Sequence, residues 1–230
     1  VFLSCVMPVS AESEKVVPDT PCFVPLFDGV SLDGWKVSEG AKDHWTVVEQ
    51  RIVHDGQRSP GGDPNLWTEK AYRDFILKVQ WRTVREPDMR EVAVILPDGT
   101  YDLDEEGKQK QVSVAFSVDS GIYLRGSSKS QINIWQWPIG SGEVYGYRTD
   151  PEMSPEVVRG VTPKVCADKP LGEWNDFTIV MIGDRLSVRL NGQIVLENAQ
   201  LPGVPQEGPI ALQHHGDPIE FKDLFIFEIE

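Results

Sequence analysis

From about Phe23 onward the chain alternates apolar and polar side chains with a period of two, the pattern of half-buried β-strands. Asp74 to Arg82 reads DFILKVQWR, so Phe75, Leu77, Val79 and Trp81 fall on one face and Lys78, Gln80 and Arg82 on the other. Asp176–Ile182, Arg185–Leu190 and Gln193–Leu196 follow the same rule and are joined by Gly183-Asp184 and Asn191-Gly192. Both dipeptides accept positive φ and favour two-residue hairpins, so these segments predict an antiparallel meander. Further strands are expected at Phe23–Phe27, Trp45–Glu49, Arg51–Val53, Val92–Leu96, Gln111–Ser117, Ile122–Arg125, Gln131–Trp135, Gly208–Gln213 and Ile219–Ile229. Helical periodicity is absent. Many short strands without helices predict an all-β domain of two packed antiparallel sheets. The last strand changes phase: Ile219 and Phe221 share a face, Lys222-Asp223 intervene, and both faces are apolar from Leu224 onward.

The stretch Val118–Arg148 carries the most chemistry. In GIYLR, Ile122 and Leu124 point one way, and Tyr123 and Arg125 the other. In QINIW, Ile132 and Ile134 oppose Gln131, Asn133 and Trp135. Each strand thus has one aliphatic face and one face of amide, guanidinium and aromatic groups, where an idle solvent face would carry Lys, Glu and Thr. A pyranose offers C–H faces that lie against Trp or Tyr, and hydroxyls that pair with Asn, Gln and Arg. Trp137, Tyr145, Tyr147 and Arg148 extend this set around Gly140-Ser141-Gly142. The competing expectation is that these rings pack beneath loops and that Arg125 is held in a salt bridge. A second candidate is ALQHHGDP (Ala211–Pro218), in which Gln213 and His215 share a face and His214 lies opposite. A histidine beside a cleft serves as base, acid or metal ligand, or simply ties down a turn. His44 and His54 carry no expectation of their own.

Composition narrows the function classes. The 22 basic and 36 acidic side chains leave a net charge of −14, which disfavours a nucleic-acid partner and docking on anionic lipid. No run approaches the length of a membrane span. The opening VFLSCVMPVSA reads as the tail of a secretory signal over residues 1–11, followed by a Pro-interrupted linker over 12–22 and the domain over 23–230. A secreted or periplasmic location is therefore expected, in which Cys22 and Cys166 could pair. The usual glycosidase needs two carboxyl groups roughly 5–9.5 Å apart. Asp119, Glu143 and Asp217 are near the polar face, but none lies in the amide-rich strand. The acidic run Asp98–Gly107 starts like a calcium loop at Asp102, yet Ser113 stands where the closing glutamate belongs, so a solvated hairpin tip is expected. A divalent cation has no clear motif, and no metal ligands are assigned.

Phe27-Asp28-Gly29 followed by Ser31-Leu32-Asp33-Gly34-Trp35 resembles the opening of the 3-keto-disaccharide hydrolase domain family. Trp45-Thr46-Val47-Val48, Asp119–Arg125, Gly172-Glu173-Trp174-Asn175, Gly208–Gln213 and Phe221-Lys222-Asp223-Leu224 continue the likeness in order. The resemblance implies a concanavalin A-like jelly-roll sandwich with a concave sugar-facing sheet. It also implies cleavage of a glycoside already oxidised to a ketone at C3, by removal of the C2 proton, loss of the leaving group and later hydration. Such chemistry needs one base and an oxyanion stabiliser. By position, Arg125 matches the family's motif arginine, and Gln213 and His215 match its L-Q-x-H element. Where many members carry Y-E-x-Q-x-x-D, this chain has Ser130–Gln136 with amides at both acidic positions, and Asp119 replaces an asparagine. His215 or Glu143 is then the expected base and Arg125 the expected anion stabiliser. The alternatives are a non-catalytic lectin-like module and a structural or adhesion domain.

Overall fold

The computed structural model describes residues 22–59 and 61–230. The leader expected over 1–11 and nearly all of the linker over 12–22 lie outside them. Two antiparallel sheets form a sandwich. The larger orders its strands Gln193–Gln200, Arg185–Leu190, Asn175–Ile182, Phe75–Thr83, Pro218–Glu228, Arg51–Asp55 and Trp45–Val48, with Val24–Pro25 paired to the long Pro218–Glu228 strand. The smaller runs Ser127–Ile134, Ser120–Leu124, Ala211–Leu212, Leu66–Thr68 and Trp35–Lys36. A separate hairpin pairs Asp88–Ala93 with Gln111–Phe116.

The period of two decides which side chains fill the sandwich. Phe75, Leu77, Val79 and Trp81 are each at most 1% exposed, and Phe177, Ile179, Met181, Leu186, Val188 and Leu190 join them in one core. The meander closes as expected: Asn191 and Gly192 have φ of 52° and 82°, the doubly positive geometry that aligns a two-residue turn with strand twist. The phase change in the last strand is a bulge. Register shifts between Lys222 and Phe225, Asp223 sits at φ 50°, and burial passes from Ile219 and Phe221 to Leu224 and Ile226.

Some local expectations are displaced. The strand expected at Val92–Leu96 begins four residues earlier and ends at Ala93. Two short strands, Trp35–Lys36 and Leu66–Thr68, were too brief to show periodicity. Two short helices, Tyr145–Arg148 and Pro155–Gly160, also escaped it; in the second, Ser154 caps the end by accepting from Val157 N, and Pro155 opens the first turn. The acidic stretch is a hairpin tip, where Asp104 Oδ1 accepts from Glu106 N and Lys108 N, both at 2.9 Å. Cys22 and Cys166 are separate exposed thiols.

Candidate functional site

The smaller sheet turns one face inward and one outward. Ile122, Leu124, Ile132 and Ile134 are fully buried in the core. Gln131, Asn133 and Trp135 therefore point to the outer face, as alternation requires. Gly121 makes this tight packing feasible: a Cβ there would sit 2.5 Å from Gln131 Nε2 and 2.8 Å from Ile132 O. Ser127–Ile134 is an edge strand, and the loop at 140–144 covers it. Asn133 N donates to Glu143 O (2.9 Å), Gly142 N donates to Asn133 O (2.8 Å), and Ile132 bridges Val144.

On this outer face lies a hollow of about 420 Å³ lined by Asp119, Gln131, Asn133, Trp135, Trp137, Tyr145, Gln213 and His215. Its aromatic wall is ordered: Trp135 and Trp137 stack at 4.3 Å with planes 9° apart, and Tyr145 meets Trp135 edge-on at 6.2 Å. Trp135 Nε1 donates to Gly140 O (3.0 Å), which fixes the indole in place. The floor is a network of amides. Gln131 Nε2 donates to Gln213 Oε1 (2.6 Å) and, at 3.3 Å, to Ser120 O, while Asn133 Nδ2 donates to the Glu143 carboxylate (3.2 Å). Next to this floor burial pushes the Tyr123 hydroxyl up to about 12, opposed by the Gln213 amide beside it, so the phenol keeps its proton.

The hollow's acid–base pair comes from distant sequence. His215, with its side chain 52% exposed, sets Nδ1 3.6 Å from Asp119 Oδ2. Gln213 N donates to Gly121 O, which zips the two segments together. Asp119 N donates to Asp217 Oδ2 (3.0 Å), and Arg85 pairs with the other oxygen of Asp217 (3.0 Å). Burial raises the Asp119 carboxyl above its ordinary value; His215 opposes that rise and Asp217 adds to it. Zinc sites use at least three protein ligands and calcium six or more oxygens. Among the described residues no group of three or more His, Cys, Asp or Glu is placed to hold a metal ion, and His215 with Asp119 alone does not fit one.

A family model for the 3-keto-alpha-glucoside-1,2-lyase-like domain matches residues 22–226. The chain belongs to that family. Among solved structures, one candidate glycosyl hydrolase from Parabacteroides distasonis is similar at a TM-score of 0.60 and 20% identity, covering 90% of this chain and 84% of that one. A second from the same organism gives 0.58 and 15%, covering 90% and 94%. The carbohydrate binding module CBM66 from Bacillus subtilis gives 0.50 and 12%, covering 85% and 96%. At such identities these likenesses establish the jelly-roll sandwich fold. A comparison with curated proteins finds no match.

In this lyase-like domain, four expected site residues sit elsewhere. Arg125 does not share the cleft of His215. Its φ of 50° breaks the period of two at the strand end, and the side chain, 1% exposed, turns away. There it donates to Arg73 O (2.7 Å), Gly183 O (2.6 Å), Pro205 O (3.1 Å) and Asp74 Oδ1 (2.8 Å). Glu143 is fully buried beneath the hollow, where it pairs with Arg148 and accepts from Asn133, so it is not an open base. Arg148 is committed to that pair and to Gly99 O (3.4 Å) and Tyr101 Oη (3.3 Å). Tyr147 is a core residue, 2% exposed and pushed up to about 12 by burial, with Lys129 Nζ 4.7 Å above its ring. Tyr123 flanks the hollow and packs on Trp67 at 5.7 Å. The remaining expected residues, Gln131, Asn133, Trp135, Trp137, Tyr145, Gln213 and His215, do converge.

Sequence reasoning left two groupings unassembled. Asp119 was weighed as one of three carboxylates near the polar face and as a replaced asparagine, but its place beside His215 follows from strand pairing. His44, His54 and His214 form a cluster with ring centroids 4.4–6.3 Å apart beside Trp45. His54 and His214 each bury an Nε2 with no hydrogen-bond partner among the described residues. Burial holds His54 at about 4.

Proposed function

We propose that this domain cleaves 3-keto-glycosides by elimination, with His215 as the base and Asp119 as its orienting carboxylate. The observation that carries this reading is the His215–Asp119 pair, set in a hollow floored by amides and walled by the stacked Trp135 and Trp137. A ketone at C3 makes the C2 proton acidic. His215 takes that proton, and the electron pair of the C2–H bond moves to the C3 oxygen as an enolate. The ketone then re-forms, the pair becomes a C1–C2 double bond, and the C1–O bond breaks toward the leaving group, which receives the proton from the imidazolium. Water added across the double bond, with its oxygen to C1 and a proton to C2, gives the free 3-keto sugar.

Asp119 opposite Nδ1 holds the ring and stabilises the imidazolium formed in the first step. The 3.6 Å separation shortens as the sugar displaces water. With Arg125 committed elsewhere, the enolate oxygen is met by amide N–H groups of Asn133 and Gln213. One proton shuttle suffices, which agrees with Asp119 being the one carboxylate lining the hollow among the described residues. The family resemblance implies an acid in many members where this chain has Gln131 and an amide where it has Asp119; both positions line the same hollow.

Incubation with 3-keto-trehalose tests the proposal. Turnover is expected in the intact chain, with a fall of about 10²–10⁴-fold in kcat for His215→Ala. Asp119→Asn should lower kcat while leaving KM close to that of the intact chain. Turnover unaffected by His215→Ala would exclude His215 as the base. A sugar-binding module without catalysis is the second reading, favoured by the amide-rich floor; tight binding of the keto sugar with no turnover would select it.

A further inference from the structure

Asp119 enters the hollow on a stretch whose backbone is held by side chains. Ser117 N and Val118 N both donate to Gln136 Oε1 (2.8 and 2.9 Å), and Asp119 N donates to Asp217 Oδ2 (3.0 Å). Asp217 is itself fixed. It is 8% exposed, its other carboxylate oxygen pairs with Arg85 Nη1 (3.0 Å), and its carbonyl accepts from His54 Nδ1 (2.9 Å). Arg85 stands at one root of the hairpin formed by Asp88–Ala93 and Gln111–Phe116, and Ser117 stands at the other. Ser117 Oγ donates to Arg85 O (2.7 Å), which pins the two roots together. The hairpin thus delivers the cation that holds Asp217, and Asp217 holds Asp119. Asp217 itself does not line the hollow.

A neutral amide oxygen would also accept the Asp119 N–H. What a carboxylate adds is charge, set next to a second carboxyl. The surroundings of Asp119 pull both ways: burial disfavours its ionised form, His215 opposes burial, Asp217 acts with burial, and Arg90 sides with His215. A carboxylate beside another anion holds a proton more strongly. Abstraction of the C2 proton leaves a positive charge on His215, and a more basic Asp119 backed by a second anion stabilises that charge as it forms. We infer that Asp217 is a positioning residue of this site: it fixes Asp119 through the backbone and sets a second negative charge behind the Asp119–His215 pair. The inference rests on the proposal that this pair removes the C2 proton. It also gives the root of the separate hairpin a part in the reaction, through Arg85.

The test compares Asp217→Asn, which keeps an acceptor for the Asp119 N–H without the charge, with Asp217→Ala, which keeps neither. On 3-keto-trehalose, kcat should fall about tenfold in Asp217→Asn and about 10²-fold in Asp217→Ala, with KM unchanged in both. Without the second anion the protonated base is less favoured, so the acid limb of kcat/KM against pH should move to lower pH in Asp217→Asn. Arg85, left with Asp88 at 3.5 Å, acts in the same direction. A residue that only supports the fold would leave that limb in place. An unmoved limb, or a loss that falls on KM, overturns the inference; where Asp217→Ala does not fold, the limb of Asp217→Asn decides. If the intact chain turns over no keto sugar, the elimination proposal fails instead, and carboxyl-carbon NMR titration of Asp119 decides. A midpoint lowered in Asp217→Asn supports the charge behind the pair; an unchanged midpoint overturns it.

Discussion

Acidification should weaken this fold through His54. The imidazole is 1% exposed, lies 4.7 Å from the Trp45 ring, and is flanked by His214 and His44. Burial is the largest cause of its low value; the two neighbouring histidines lower it further, while Asp217 O and the Asp55 carboxylate act against the change. The folded value of about 4 lies below the ordinary imidazole value of 6.5, so the unfolded chain binds the proton first. Stability from this group is therefore intact above pH 6.5, declines as pH falls from 6.5 toward 4, and levels off below that. The gap corresponds to a total of about 3 kcal/mol, of which about 2 kcal/mol is lost by pH 5. His214, also lowered by burial, adds in the same direction. Urea unfolding of the intact chain and His54→Gln at pH 7.5 and pH 5 isolates the effect. The variant starts less stable, but its loss between the two pH values should be smaller by about 2 kcal/mol. Parallel losses in the two proteins would refute the argument.

Other outcomes follow from the site. Arg125→Ala should cost about 3–5 kcal/mol in urea unfolding, because it strands the Asp74 carboxylate and three carbonyls; a loss of kcat without loss of stability would return Arg125 to the reaction. Trp135 is 3% exposed and Trp137 half-buried, so Trp135→Ala should lower stability by about 3–5 kcal/mol. Trp137→Ala should weaken sugar binding in calorimetry with little change in melting temperature. Gly121→Ala should cost about 1–3 kcal/mol and weaken binding together, since its Cβ meets both the Gln131 amide and a backbone oxygen.

Alternation alone was enough to assign Gln131, Asn133 and Trp135 to the open face and Ile132 and Ile134 to the core, because nothing between residues 131 and 135 interrupts the pleat. The same rule failed at Arg125, where a left-handed backbone conformation reverses the side chain, and a single sequence carries no mark of that in a non-glycine residue. Glu143 and Arg148 read as open polar groups because their mutual neutralisation depends on a short helix with no visible periodicity. The Asp119–His215 pair and the three-histidine cluster need strand neighbours that are far apart in the chain, so they emerge only once register is known. Gly183-Asp184 and Asn191-Gly192 were legible because turn chemistry is local.

The loop at 140–144 that caps the Ser127–Ile134 strand also guards the protein's colloidal behaviour. Its backbone occupies donors and acceptors that would otherwise face solvent beside Ile132, Ile134 and Trp135. Warming that peels this loop away before the sandwich melts would uncover a β-branched, aromatic ribbon able to zip onto a copy of itself. Precipitation on heating should then begin at that margin, and substitutions that loosen the Glu143–Arg148 anchor should bring it to lower temperature.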